Sequence, residues 1–141
     1  MAGGVIAGVA RQIFDVFVPK QKMLYLHPPI PDRYVAIGLE KVVTWSLDSG
    51  RWLVIAKTAV QGYGGNGGLA DCRLKVVGTE ADYSSSDESY GAPSALLGAT
   101  ITVLLPFTVK SSAQFYLQLG VQGPNSATFQ HIVVTAIRDS G

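Results

Sequence analysis

The sequence predicts an all-β fold, an antiparallel jelly-roll sandwich preceded by an extended N-terminal arm. Three observations support this prediction. Apolar and polar residues alternate with a period of two in several segments, turn-forming residues separate those segments, and no window carries a capped helical repeat. Sixteen Gly and seven Pro in 141 residues are also too many for a helical bundle of this length. Short strands joined by turns, without helices, are typical of a sandwich or jelly roll.

Length and charge limit the function classes. A chain of 141 residues is the size of one domain. Only 15% of its residues are charged, whereas about 25% are charged in an average soluble domain. The net charge is +1. The Lys and Arg residues are scattered singly rather than clustered beside aromatic side chains, so we expect no nucleic-acid partner. No apolar run approaches the roughly 18 residues of a spanning helix, and the apolar start lacks the basic residues of a secretory signal, so we expect no membrane partner.

Four segments alternate between an apolar and a more polar face, which predicts four strands lying against a core. The residues on their apolar faces are Trp52, Val54, Ala56, Thr58 and Val60; Cys72, Leu74 and Val76; Ala99, Ile101, Val103 and Leu105; and Phe115, Leu117, Leu119 and Val121. Turn-forming sequences at 48–50, 62–68, 91–93 and 123–125 separate the predicted strands.

The predicted last strand, 129–138, is apolar on both faces. One face carries Ile132, Val134 and Ala136, and the other carries Val133 and Ile137. A strand that is apolar on both sides belongs to a sheet whose outer face is also covered. In a single small sandwich this cover has to come from another subunit.

The N-terminal segment, 1–32, precedes a jelly-roll domain at 33–141. It is rich in large apolar residues and ends in a proline-rich stretch at 28–31 that favours extended backbone. Two interpretations remain open: an arm that docks on neighbouring subunits, or an edge hairpin of the same domain formed by 13–18 and 23–27. Under the first, the subunit interface contains Ile13, Phe14, Val16, Phe17, Leu24, Tyr25, Val133 and Ile137.

No motif points to catalysis or to a cofactor. The glycine pattern at 62–67 is followed by an alternating strand instead of the helix that a dinucleotide site needs, so we interpret it as a turn. The chain has no G-x-S-x-G sequence, and its only histidines are His27 and His131. Cys72 shares a face with Leu74 and is predicted to be a buried thiol. The acidic segment 79–90 is predicted to be a solvated loop, with calcium binding as the alternative. We therefore expect a protein that is not an enzyme and uses no cofactor or metal.

Three segments, 50–56, 70–76 and 132–138, resemble strands of the jelly-roll domains of the tumour-necrosis-factor and complement globular-head type, especially their bacterial and phage relatives. The resemblance implies a tight homotrimer whose C-terminal strand lies in the inner sheet near the threefold axis. The segment 1–32 has no counterpart in the compact head of that family, so receptor or complement function is not implied.

These observations together lead to one functional hypothesis and one alternative. The hypothesis is a non-enzymatic structural protein located in the virion, namely a trimeric head decoration or capsid-stabilising protein of a tailed phage that contacts neighbouring capsid subunits. The alternative is a trimeric binding module, either a phage tail-fibre tip or a secreted bacterial adhesion domain. In that case, the loops 62–69, 79–94 and 122–128 would carry its specificity.

Overall fold

The computed structural model describes residues 22–36, 38–63, 70–94, 97–122 and 125–139. These residues form seven strands, all paired antiparallel: β1 (Lys22–Leu26), β2 (Arg33–Val35), β3 (Gly38–Tyr63), β4 (Cys72–Glu80), β5 (Tyr83–Gly91), β6 (Ala99–Val121) and β7 (Ser126–Asp139). The strand order is β1-β7-β3-β6-β4-β5, and β2 also pairs with β7. The predicted all-β antiparallel jelly-roll sandwich is confirmed.

The two longest strands, β3 and β6, each contribute to both layers of the sandwich. Residues 50–60 of β3 pair with 99–109 of β6, and residues 38–48 of β3 pair with 112–121 of β6. The first pair, with β1, β2 and β7, forms what we call the first layer. The second pair, with β4 and β5, forms the second layer.

Ring contacts show that β6 folds back on itself between the two layers. Phe107 and Phe115 are eight residues apart, which is about 26 Å along a straight strand. Their ring centroids nevertheless lie 5.1 Å apart. The apolar faces of the two halves of the strand therefore face each other, and the core lies between them.

A continuous series of aromatic rings crosses this core. Tyr25 stacks on Trp45 at 6.5 Å, and Trp45 stacks on Phe115 at 5.7 Å. The series continues from Phe115 to Phe107, and Tyr83 of β5 packs on Phe107 at 5.2 Å. Because such pairs add about 0.5–1.5 kcal/mol beyond area burial, this series ties β1 and β5 to the centre of the sandwich.

The sequence at 48–50 does not end a strand, contrary to the prediction of a turn between strands. It forms an irregularity inside β3, where the register with β6 shifts. Gly50 has a φ of +144°, and a Cβ added there would lie 2.6 Å from Cδ of Arg138. Glycine therefore allows β3 to bend at this position without a separate loop.

The matching bend in β6 is held by Glu80 at the end of β4. Its carboxylate accepts hydrogen bonds from the backbone N–H groups of Lys110, at 2.9 Å, and Ser111, at 2.7 Å. These bonds lower the pKa of Glu80, and the bond from Lys110 has the larger effect. At the bend these two N–H groups have no hydrogen-bond partner in β3, and the Glu80 carboxylate satisfies both of them.

The acidic segment 79–90 is also not a loop. It forms a hairpin in which Ala81 and Asp82 make the turn and the following residues form the edge strand β5. In the described parts of the chain, no group of three His, Cys, Asp or Glu side chains is placed to hold a metal ion.

Replacing Glu80 with glutamine is expected to change how stability depends on pH. A carboxyl group with a lowered folded-state pKa stabilises the fold above its ordinary value of 4.5, and that contribution is lost as the pH falls through the lower folded-state value. Urea midpoints of the wild type should therefore fall more steeply below pH 4.5 than those of E80Q. Asp82→Asn, in the adjacent turn, serves as the control. Equal slopes for wild type and E80Q would show that the carboxylate does not hold the bend.

Candidate subunit interface

The strand register brings apolar residues of four strands together on the outside of the first layer. Leu24 of β1 lies opposite Ile137 of β7, Ile137 lies opposite Leu53 of β3, and Leu53 lies opposite Pro106 of β6. Because directly opposed residues point to the same side of a sheet, these four side chains form one row.

A second row, two residues along each strand, has the same character. It contains Leu26, Thr135, Ile55 and Leu104. Val133 lies two residues further along β7, beside Lys57 of β3. We call the surface made by Leu24, Leu26, Leu53, Ile55, Leu104, Pro106, Val133 and Ile137 the apolar outer face.

Most of the apolar outer face is open to solvent in the isolated chain, although Leu53 and Ile55 are half-buried and Ile137 is buried. Leu26 is 62% exposed, Leu24 56%, Leu104 50% and Val133 46%. Single exposed apolar side chains are normal, but a contiguous group marks an interaction surface.

Charged residues border this surface at both ends. The Arg51 guanidinium pairs with the Asp139 carboxylate in the row beyond Leu24, and Lys57 lies beside Val133. An apolar centre with a polar rim is the usual anatomy of a protein–protein interface.

The structure places three of the sequence-predicted interface residues, Leu24, Val133 and Ile137, on the apolar outer face. Tyr25 points the other way, into the core, where burial raises the pKa of its hydroxyl. Ile13, Phe14, Val16 and Phe17 lie outside the described residues. Assignment of the eight residues to a subunit contact stays a prediction.

Five members of the apolar outer face were not predicted from the sequence: Leu26, Leu53, Ile55, Leu104 and Pro106. Two signals could have found most of them. The runs 52–56 and 103–107 are apolar at every position, the same two-faced pattern that singled out 129–138.

A bulge interrupts the simple alternation of the last strand, β7. Its register with β3 shifts between Lys57 and Ala59, and His131 has a φ of +51°. Thr58 is fully buried and its hydroxyl donates to the Gln130 carbonyl at 2.9 Å, which holds this bulge. The two predicted faces of 132–137 are confirmed by the register, but no described residue covers Val133.

Of the residues considered for chemistry, Cys72 lies in the second layer, away from this surface. Cys72 is buried, and burial together with the nearby Asp71 charge raises its pKa to about 11. The thiol therefore stays protonated near neutral pH and is a poor nucleophile there. Nδ1 of His27 lies 2.7 Å from the Pro28 carbonyl oxygen.

The part of the chain that the structure covers contains no helix able to cross a lipid bilayer.

Comparisons with known proteins show likeness in structure alone. No family model and no curated protein matches the sequence. A chain in the structure of infectious bursal disease virus, Gx strain, superposes with a TM-score of 0.54 at 8% identity, over 86% of this chain and 38% of that chain. A chain of the infectious bursal disease virus VP2 subviral particle gives 0.49 at 10% identity, over 86% and 38%. TmCBM61, solved with β-1,4-galactotriose, gives 0.44 at 6% identity, over 86% and 92%.

This chain therefore spans well under half of the length of the viral chain with the TM-score of 0.54. At 8% identity, what the two share is the fold. The chain is thus an antiparallel jelly-roll domain that carries an apolar face on the outside of its first layer.

Proposed function

We propose that the chain is a non-enzymatic structural protein of a virus particle that assembles as a homotrimer through the apolar outer face. The observation that carries this proposal is the contiguous exposure of Leu24, Leu26, Leu104 and Val133 across three strands of one layer. Fully burying one such side chain contributes about 1.5–3 kcal/mol. A standard contact buries about 800 Å² on each partner, so the apolar outer face would be the apolar centre of a contact that also includes its charged border.

The threefold symmetry rests on the resemblance to the tumour-necrosis-factor and complement globular-head domains. In that family the C-terminal strand lies near the trimer axis. Here the C-terminal strand β7 lies inside the first layer and carries Val133 and Ile137 on the apolar outer face. A trimer with β7 near its axis would bury this face between subunits.

The finer assignment is a head decoration or capsid-stabilising protein of a tailed phage. Its support is the single small jelly-roll domain, the low fraction of charged residues and the shared fold with a chain of a virus structure. Residues 1–21 would form the part of the arm that reaches neighbouring capsid subunits. The proposal concerns residues 1–21 alone because residues 22–26 form β1, which pairs with β7 of the same chain.

The particle itself tests this assignment. Virus particles purified from the source culture are separated into heads and tails, and the chain is quantified in each by mass spectrometry. We expect it in heads, at a copy number divisible by three. A chain lacking 1–21 should still form trimers and should fail to bind heads that lack the protein. Absence of the chain from particles, or full occupancy by the truncated form, would contradict the proposal.

The alternative, a trimeric binding module, has one observation in its favour. The outer side of the second layer is polar and carries an exposed tyrosine, Tyr90, beside a cleft. Recovery of the chain in tail fractions, or in the culture medium of uninfected cells, would favour this function over a capsid role.

A further inference from the structure

A cleft of about 460 Å³ opens at one end of the second layer, away from the apolar outer face. It is formed where Tyr90 of β5, Arg73 of β4, Gly120 of β6 and Leu39 of β3 lie opposite one another in one row. Its volume falls within the range of small-molecule sites, about 300–1,000 Å³.

Gly120 is buried beneath the Leu39 side chain at the base of the cleft. A Cβ at this position would lie 2.6 Å from Cδ2 of Leu39 and 3.6 Å from Cβ of Arg73. Any other residue would therefore displace the Leu39 side chain. The absence of a side chain at Gly120 lets Leu39 lie against β6 beside Arg73, at the base of the cleft.

The polar wall of the cleft is held in place before any ligand arrives. Glu88 accepts from Nη1 of Arg73 at 3.1 Å and from the Tyr90 hydroxyl at 2.8 Å. The bond from Tyr90, followed by the charges of Arg73 and Lys75, lowers the pKa of Glu88, so it remains a carboxylate near neutral pH. A single anionic group thus fixes both a guanidinium and an aromatic ring, which reduces the ordering that binding would require.

The chemistry of the lining selects a neutral ligand rich in hydroxyl groups. Asp71 and Arg73 contribute one negative and one positive charge, Gln122 adds an amide, and Leu39 and the Tyr90 ring add apolar surface. An anionic ligand would meet the carboxylate of Asp71, and the positive charge of Arg73 is already paired with Glu88. A sugar ring offers hydroxyls to the polar groups, and its C–H face matches the electron-rich face of an aromatic ring.

We propose that this cleft binds a neutral saccharide, with the ring of Tyr90 as its stacking platform and Arg73, Asp71 and Gln122 as hydrogen-bonding groups. The inference is independent of the trimer and of the virion role, because the cleft belongs to one chain and lies in the other layer. A sugar site of this kind would let the protein contact glycans at a cell surface.

The test uses the full chain on an array of trisaccharides of glucose, galactose, mannose and N-acetylglucosamine, with glucuronate and inorganic sulfate as anionic probes. The best neutral binder is then measured by titration calorimetry. Tyr90→Ala should weaken binding about tenfold or more, whereas Tyr90→Phe, which keeps the ring, should lose less. Tyr34→Ala is the matched control, because Tyr34 is 62% exposed and Tyr90 65%, and Tyr34 does not line the cleft.

Three results would overturn the inference. The first is no detectable binding of any neutral trisaccharide at about 10 mM. The second is an equal loss in Y90A and Y34A, which would place the sugar elsewhere. The third is tighter binding of sulfate or glucuronate than of every neutral probe. A thermal melt of each variant checks that it is folded, and Gly120→Ser, which would displace Leu39 at the base of the cleft, provides a second way to disturb the cleft.

Discussion

Replacing Phe115 with alanine is expected to cost about 3–5 kcal/mol of folding free energy, a large part of the roughly 5–15 kcal/mol that stabilises a typical domain. Phe115 is completely buried, and its ring contacts both Trp45 and Phe107. The truncation would leave a cavity at the centre of the aromatic series and interrupt the contact between the layers. Urea unfolding followed by tryptophan fluorescence measures the loss.

Tyr34→Ala is the control for this variant as well, because it removes an exposed aromatic ring that takes no part in the series. Its urea midpoint should stay close to that of the wild type. Phe115→Leu should fall between the two, since it leaves a smaller cavity. A midpoint for F115A that equals the control would mean that the two layers are not held together by these rings.

Placing lysines at Leu26 and Leu104 is expected to dissociate the proposed trimer while the subunit stays folded. Both residues are at least half exposed in the isolated chain, so a lysine there remains hydrated in the monomer. In a trimer the two ammonium groups would be desolvated against an apolar partner, which costs several kcal/mol for each. Sedimentation velocity should show monomers at concentrations where the wild type is trimeric, with an unchanged far-UV spectrum.

Ser86→Lys supplies the matched control, because Ser86 is exposed on β5 in the second layer. It adds a positive charge away from the apolar outer face and should leave the oligomer intact. If the double variant L26K/L104K sedimented as the wild type does, the apolar outer face would not be a subunit contact. Dissociation by S86K would indicate a contact through the second layer.

Much of the core could be predicted because its strands alternate strictly. Val54 and Leu117 follow the period of two, and both are buried as that pattern requires. The two faces of β7 at 132–137 were likewise visible in the sequence, since Val133 and Ile137 alternate with Val134 and Ala136. These features are local, so a single sequence contains them.

The bends and the edge strand could not be predicted because they depend on distant contacts. The segments 99–105 and 115–121 belong to one strand, and its bend is held by Glu80, which lies about thirty residues away in the sequence. The strand β5 is polar on both faces because it lies at the sheet edge and adds little to the core. It therefore has no alternation that would distinguish it from a loop.

The candidate interface was predictable only in part for the same reason. The apolar pattern of the segments that contain Leu24 and Ile137 was enough to identify these two residues. Ile55 and Leu104 join them only because β1, β7, β3 and β6 are neighbours in the sheet, an order that no single segment encodes. The cleft at Gly120 likewise requires four strands to meet in one row.

The mass of the native 141-residue chain, measured by analytical ultracentrifugation across a concentration series, tests the central claim most directly. That claim is that the apolar outer face is buried against other copies of the chain. The account predicts a particle of three times the 14.9 kDa chain mass that persists at low micromolar concentration. A stable monomer of 14.9 kDa at every concentration would contradict it.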